Sequence, residues 1–132
     1  MKLQQNTRLA LYSVLEFAAQ PGRQLSAAEI AARYRASPHH LAKVLRKLRR
    51  AGVLAAARGA GGGYRFVANP KRLTLLEVIS VFERIGPGRG RAARNGVEAA
   101  LEQVLAEIDE TAKATFGSLT VDTMLKLIAR SR

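Results

Sequence analysis

The sequence predicts a mainly α-helical fold with one small β-hairpin, and three observations carry that prediction. Apolar residues recur at helical spacing through most of the chain. Helix-start patterns of the S/T-x-x-E kind stand at Ser26 and Thr74. The one stretch with strand chemistry, VLAAARGAGGGYRFVANP, folds back at a cluster of glycines. At 132 residues the chain suits one compact domain, or a small domain with an appended element, and leaves no room for a separate catalytic domain.

Residues 6–20, NTRLALYSVLEFAAQ, place apolar side chains at 11, 14, 15 and 18, and Pro21-Gly22 ends this first helix. Its basic start and apolar run look superficially like a secretory leader. Glu16 interrupts the run, however, and no clear cleavage site precedes Pro21. No stretch approaches the ~18 apolar residues of a membrane span, so a soluble, cytoplasmic protein with no membrane partner is expected. The second helix starts near Ala27, where Ser26 and Glu29 can each satisfy a backbone N–H left unpaired at a helix start and Leu25 and Ile30 can staple the turn; it ends near Tyr34.

The third helix lies in SPHHLAKVLRKLRRAG. Ser37 is a good N-cap, Pro38 suits the first helical position because its missing N–H would be unpaired anyway, and Gly52 can close the helix in a left-handed conformation. Leu41, Val44, Leu45 and Leu48 form an inward stripe, while His39, Lys43, Arg46, Lys47 and Arg50 fall on the other side. About three residues separate the second and third helices, a link as tight as a helix-turn-helix requires.

RGAGGGYRF could be a phosphate loop or a turn. A P-loop needs Lys-Ser/Thr after its last glycine and then a helix whose N–H groups finish the anion site, and a dinucleotide fingerprint needs that helix too. Here Tyr64, Phe66 and Val67 favour a strand and Asn69-Pro70 breaks it. The glycines therefore join strands at 53–58 and 64–68 in a hairpin, with Arg58 and Arg65 flanking a tip free of bulky side chains. Directly after a basic helix, such a hairpin is a wing able to approach a nucleic-acid backbone or place an arginine in a minor groove.

Thr74 and Glu77 repeat the start pattern, with Leu73 and Val78 as staple, and a fourth helix runs to about Arg84 with Leu75, Val78, Ile79 and Phe82 inward. IGPGRGRAARNG (85–96) has little core-forming content and is expected to be a flexible linker. From Val97 a long helix to about 116 carries Val97, Leu101, Val104, Ile108, Ala112 and Phe116 on one face and Glu98, Glu102, Glu107 and Glu110 outside. Its apolar stripe needs a partner, and the commonest partner is its own copy. SLTVDTMLKLI (118–128) forms a last short helix. The expected division is 1–84 as the winged domain, 85–96 as linker, and 97–132 as dimerisation helix plus terminal helix.

The formal net charge is +12, and residues 1–95 hold 18 Lys/Arg against 4 Asp/Glu whereas 96–132 hold 4 against 6. Between Glu29 and Glu77 there are eleven cations and no carboxylate, a segment that would repel itself unless it faced a polyanion such as nucleic acid. No cysteine is present, which excludes disulfides, thiol nucleophiles, zinc-thiolate sites and cysteine-ligated iron-sulfur clusters. His39 and His40 are adjacent, about 100° apart on a helix, and cannot share a metal as an i, i+4 pair would. Hydrogen bonds to phosphates or base edges suit them better than general-base work. The carboxylates at 98, 102, 107, 109 and 110 read as a solvated face. No enzyme, metal or cofactor is expected.

These residues together resemble the Rrf-two (Rrf2) family of bacterial winged helix-turn-helix regulators. The resemblance runs from about Lys2 to Glu83 and more loosely beyond; its most specific part is SPHHLAKVLRKLRRAGVLAAARGAGGGYRF, and SLTVDTML is similar to the short helix that closes such proteins. It implies a homodimeric DNA-binding transcriptional regulator, with repression the expected sign. The long helix would cross its twin, each recognition helix would enter a major groove, and the wings would reach adjacent minor grooves. It implies groove and nearby phosphate contacts by Ser37, His39, His40 and Lys43, with Pro38 opening the helix, a minor-groove contact by Arg58, and a wing tip shaped by Gly59, Gly61, Gly62 and Gly63. Sensor members hold an iron-sulfur cluster on three cysteines before the dimer helix, where this chain has GPGRGRAARNG. Arg35 stands where such proteins often have glycine in the turn.

Physically, Arg46, Lys47 and Arg50 suit phosphates, which fix position, while His39 and Lys43 on the first turns suit base edges, which specify sequence. A two-fold dimer implies a pseudo-palindromic operator with half-sites about 34 to 36 Å apart or a multiple of that. The competing readings are a protein-interaction module that binds a partner enzyme through the C-terminal helix, a nonspecific architectural DNA binder, and an interfacial membrane protein. The operator, the targets and the effector are not legible in these residues.

Overall fold

Five of the helices in the computed structural model, which describes residues 2–59, 62–86 and 92–131, begin where a side chain accepts a bond from a free N–H of the first turn. The elements run α1 (Gln5–Ala19), α2 (Ala27–Tyr34), α3 (Pro38–Arg50), β1 (Leu54–Ala56), β2 (Tyr64–Phe66), α4 (Leu75–Phe82), α5 (Gly96–Ser118) and α6 (Val121–Arg130). The caps are Ser26, Ser37, Thr74, Asn95 and Thr120. The reciprocal capping box forms completely at Thr74 and Glu77, while α2 makes only its Ser26 half. α1 has no side-chain cap of its own. Instead the Glu83 carboxylate, just past α4, accepts from the Gln4 backbone N–H at 2.9 Å and from the Thr7 hydroxyl. A carboxylate there also complements the positive end of the α1 dipole.

α1 lies at the centre and packs against α2, α3, α4, α6 and β2. Its buried face is Thr7, Leu9, Ala10, Ser13, Val14, Phe17 and Ala18, whereas Leu11 and Leu15 of the expected stripe are only partly buried on its flanks. Small residues on the inner face let neighbouring helices approach closely, a role that apolar periodicity does not register. Buried Ser13 donates to the Leu9 carbonyl at 2.7 Å, so its hydroxyl is satisfied within the helix. Leu41, Val44, Leu45 and Leu48 of α3 are fully enclosed, as expected from their spacing.

The link between α2 and α3 turns through Arg35, whose φ of 53° and ψ of 40° make it the only non-glycine residue with positive φ among those described. At the far end of α3, Gly52 (φ 84°) closes a Schellman motif. The Val53 N–H bonds Leu48 O and the Gly52 N–H bonds Arg49 O, both at 3.0 Å.

The hairpin is shorter than its sequence pattern, pairing Leu54 with Phe66, Ala55 with Arg65 and Ala56 with Tyr64. Leu25, in the link before α2, exchanges both backbone bonds with Tyr64 at 2.9 Å and so adds a third edge to the small sheet. Gly63 is required beside it: a Cβ there would lie 2.8 Å from the Leu25 carbonyl oxygen, and φ is 141°. Gly61 lies outside the described residues.

The tail is tied to the winged part. Val121 of α6 is completely buried in the main core, its N–H bonds Leu73 O at 2.8 Å, and Leu75 N–H bonds Leu119 O at 2.9 Å. Ala112 and Phe116 of α5 pack with Leu75, Ile79 and Ile85 in a second small cluster. Of the expected linker, Ile85 is thus part of a core, and 87–91 lie outside the described residues.

Two substitutions check this geometry. Arg35→Gly removes a left-handed L-residue that costs about 1–2 kcal/mol, offset in part by glycine's extra unfolded-state entropy. The midpoint of thermal unfolding should rise by roughly 2–4 °C, and a fall would contradict the left-handed turn. Gly63→Ala should cost on the order of 1–3 kcal/mol and strip hydrogen-exchange protection from the Leu25 and Tyr64 amides.

Candidate nucleic-acid interface

The burial of one α3 stripe determines what its other faces present. With Leu41, Val44, Leu45 and Leu48 inside, Ser37, Pro38, His39, Lys43, Arg46, Lys47, Arg49 and Arg50 are all exposed. Arg49 belongs to this cationic surface although the sequence reading passed over it; its place in the run LRKLRR, one step from Arg50, was the available signal. None of the cations of α3 or of the hairpin forms an ion pair with a described carboxylate. Their charge is left for solvent or for an external anion.

Within that surface the expected contacts divide. Ser37 is committed as the cap, accepting from the His40 N–H at 3.3 Å. His40 is half-buried, and its Nε2 is hydrogen-bonded to the Asn6 side-chain oxygen on α1, so this ring ties the start of α3 to the start of α1. Lys47 Nζ sits 5.4 Å from the centre of the Phe82 ring, a cation–π contact that directs this side chain toward α4. Among the described residues, His39, Lys43, Arg46, Arg49 and Arg50 make no such side-chain hydrogen bond, ion pair or cation–π contact, and they remain the outward set.

On the hairpin, Arg58 and Gly59 are exposed at the start of the tip, and Arg65 is exposed at the middle of β2 while Phe66 beside it points into the core. Alternation along β2 puts Arg65 and Val67 on one side. Gln24 steadies the tip from the α1–α2 link by donating to the Gly62 carbonyl at 2.5 Å. The wing is thereby fixed to the body both by Leu25 and by Gln24, two residues with no signal of that role in the sequence.

The six expected dimerisation residues also divide. Val97, Leu101, Val104 and Ile108 are exposed, joined by Leu105, and Val97 is 81% accessible. Ala112 and Phe116 serve the protomer's own second cluster. No helix among the described residues is long and apolar enough to cross a membrane.

Residues 3–127 match the family described as "Rrf2: Iron-dependent Transcriptional regulator". Over 134 aligned residues the chain is 49% identical to BadM of Rhodopseudomonas palustris, itself assigned provisionally as an HTH-type transcriptional regulator, covering all of this chain and 86% of that one. It is 32% identical over 110 residues to the HTH-type transcriptional regulator IscR of Cereibacter sphaeroides, covering 80% and 71% of the two chains. The solved structure of CymR, named as the global cysteine regulator of B. subtilis, superposes with a TM-score of 0.81 at 26% identity, covering 96% of this chain and 98% of that one. The iron in the family description finds no matching donor set in the α4–α5 connection. Residues 83–95 contain no cysteine or histidine, and their one carboxylate, Glu83, is turned to the start of α1. With a helix-turn-helix whose second helix is cationic outside, a wing braced on the α1–α2 link, and a family match across nearly its whole length, the chain belongs to the Rrf2 family of winged-helix transcriptional regulators.

Proposed function

We propose that this protein is a homodimeric, sequence-specific DNA-binding repressor of the cytoplasm. Two copies joined through α5 would set their α3 helices into successive major grooves of a pseudo-palindromic operator, and their wings into the flanking minor grooves. The observation that carries the reading is the α3 surface, where His39, Lys43, Arg46, Arg49 and Arg50 stand exposed on a helix whose opposite face is locked in the core. A rigid cationic rod beside a glycine-tipped ribbon fits a duplex and fits few other partners as well.

The roles follow from side-chain chemistry. Arg46 and Arg50 neutralise phosphates. Lys43 and His39, nearer the N-terminal end of α3, address base edges, with Ser37, Pro38 and His40 shaping and anchoring that end. Arg58 and Arg65 serve the wing, with Gly59 allowing close approach at its tip. Residues 1–84 carry the DNA-binding function, 85–96 connect, and 97–132 contribute the dimer helix and the short helix that closes the fold. With no thiolate to hold a cluster, the signal this regulator answers is something other than a cysteine-ligated iron-sulfur centre.

The reading is tested by operator titration across salt concentrations. If each dimer neutralises roughly eight phosphates, log affinity against log salt has a slope of about −7. Arg46→Ala, which removes one phosphate contact per protomer, reduces the magnitude of that slope by about 2 and weakens all duplexes alike. Lys43→Ala costs about 1–3 kcal/mol on the operator and narrows its preference over scrambled duplex. A slope near zero, or equal affinity for operator and scrambled DNA in the unmodified protein, contradicts the proposal.

A further inference from the structure

Arg35 stands where the backbone disfavours it. It follows the last residue of α2 with φ of 53° and ψ of 40°, the left-handed position that closes many helices and that glycine fills without strain. The conformation is firmly held: the Arg35 and Ala36 N–H groups both bond the Ala31 carbonyl, the latter at 2.9 Å, and Ala36 packs against the main core. A local shift that relieved the strain would give up these contacts.

Inside the protomer the arginine side chain serves little. It is exposed, and among the described residues it makes no side-chain hydrogen bond or ion pair. Arg33, two residues earlier, takes the Glu16 carboxylate, and between Glu29 and Glu77 the chain has no other. A cation past the end of α2 complements the negative end of its dipole, but that effect is weak at an exposed site and screened by salt. Arg33 in the last turn already supplies it. A strained residue with no partner inside the fold is characteristic of a functional surface.

The surface beside it is the leading end of α3. Ser37, two residues on, caps that helix, and His39 follows; both are exposed. Two residues span at most about 7 Å of backbone, so Arg35 stands at the rim of the α3 start. The distribution of charge gives that place a use. Lys43, Arg46, Lys47, Arg49 and Arg50 all lie in the later part of α3, whereas Arg35 is the one Lys or Arg from 34 to 42.

We propose that Arg35 binds a backbone phosphate at the edge of the major groove entered by α3, anchoring the end of the recognition helix that otherwise has no long cation. This rests on the DNA-binding reading above. A guanidinium presents a planar fork to two phosphate oxygens, which an ammonium cannot. With Arg46 and Arg50 on phosphates further along, contacts at both ends fix the angle at which His39 and Lys43 meet base edges. Such contacts set register without reading sequence. Glycine at 35 would give a more stable protein and a weaker DNA binder.

The probe is the duplex that the unmodified protein enriches from a random-sequence library, titrated across salt concentrations beside a scrambled duplex. Arg35→Gln keeps a left-handed side chain and removes the charge. It is expected to weaken both duplexes about tenfold, with their affinity ratio unchanged, and to reduce the magnitude of the salt slope by about 2, one phosphate contact being lost per protomer. Arg35→Gly should show the same losses while its thermal midpoint rises. Arg35→Lys should keep the slope and recover part of the affinity. An Arg35→Gln protein that binds as the unmodified one does, or that loses affinity with no change of slope, overturns the proposal, because a purely structural role for the turn leaves the slope intact. A steep slope in the unmodified protein upholds the DNA-binding reading in either case. No enriched duplex, or a slope near zero, overturns that reading and the Arg35 contact with it.

Discussion

The burial of four side chains on one face of α3 is the constraint on which the rest of the molecule depends. Leu41, Val44, Leu45 and Leu48 are between 0% and 2% exposed. At about 1.5–3 kcal/mol each, an upper estimate, their removal from water contributes on the order of 6–12 kcal/mol. Opposing it is repulsion among cations on the outer faces of the same helix, which water and salt reduce to a few tenths of a kcal/mol per neighbouring pair. The apolar term wins comfortably. A helix with no acidic residue is therefore held in a set rotation, with its charge outward.

Holding that helix at one angle falls to residues far away in the chain. Arg35 accepts a strained left-handed conformation so that α2 and α3 can meet after only three residues. Leu25 and Gln24 fasten the wing, and Gly63 is bare because the Leu25 carbonyl occupies the space a side chain would need. Glu83 caps α1 from seventy-nine residues away, and His40 ties α3 back to Asn6. Each is a polar or backbone interaction whose partner lies in a different element, and each narrows the freedom of the surface offered to DNA.

α5 stands apart in its energetics. Its last turns are integrated through Ala112 and Phe116, yet the helix contains no buried residue at all and keeps five large apolar side chains in contact with water. A contiguous exposed stripe of this kind marks an association surface in proteins. α6, by contrast, spends Val121 on the common core and backbone bonds on Leu73 and Pro70. The C-terminal region thus combines one helix that completes the protomer with another that reaches outward.

The sequence by itself determined the number, order and type of the elements, the amphipathic rotation of α3, and the glycine-tipped hairpin, because caps, turns and apolar period act over three or four residues and are written locally. It also located the outward His39 and the outward cations Lys43, Arg46, Arg50, Arg58 and Arg65. Only the tertiary structure decided that Leu25 pairs with Tyr64, that Lys47 leans on Phe82 and His40 on Asn6, that the inner face of α1 is built on Thr7, Ala10 and Ser13, and that Ala112 and Phe116 serve the protomer rather than its exposed stripe. Those outcomes depend on which surfaces meet after the chain has folded back on itself. Contacts between residues tens of positions apart leave no periodic trace in a single sequence.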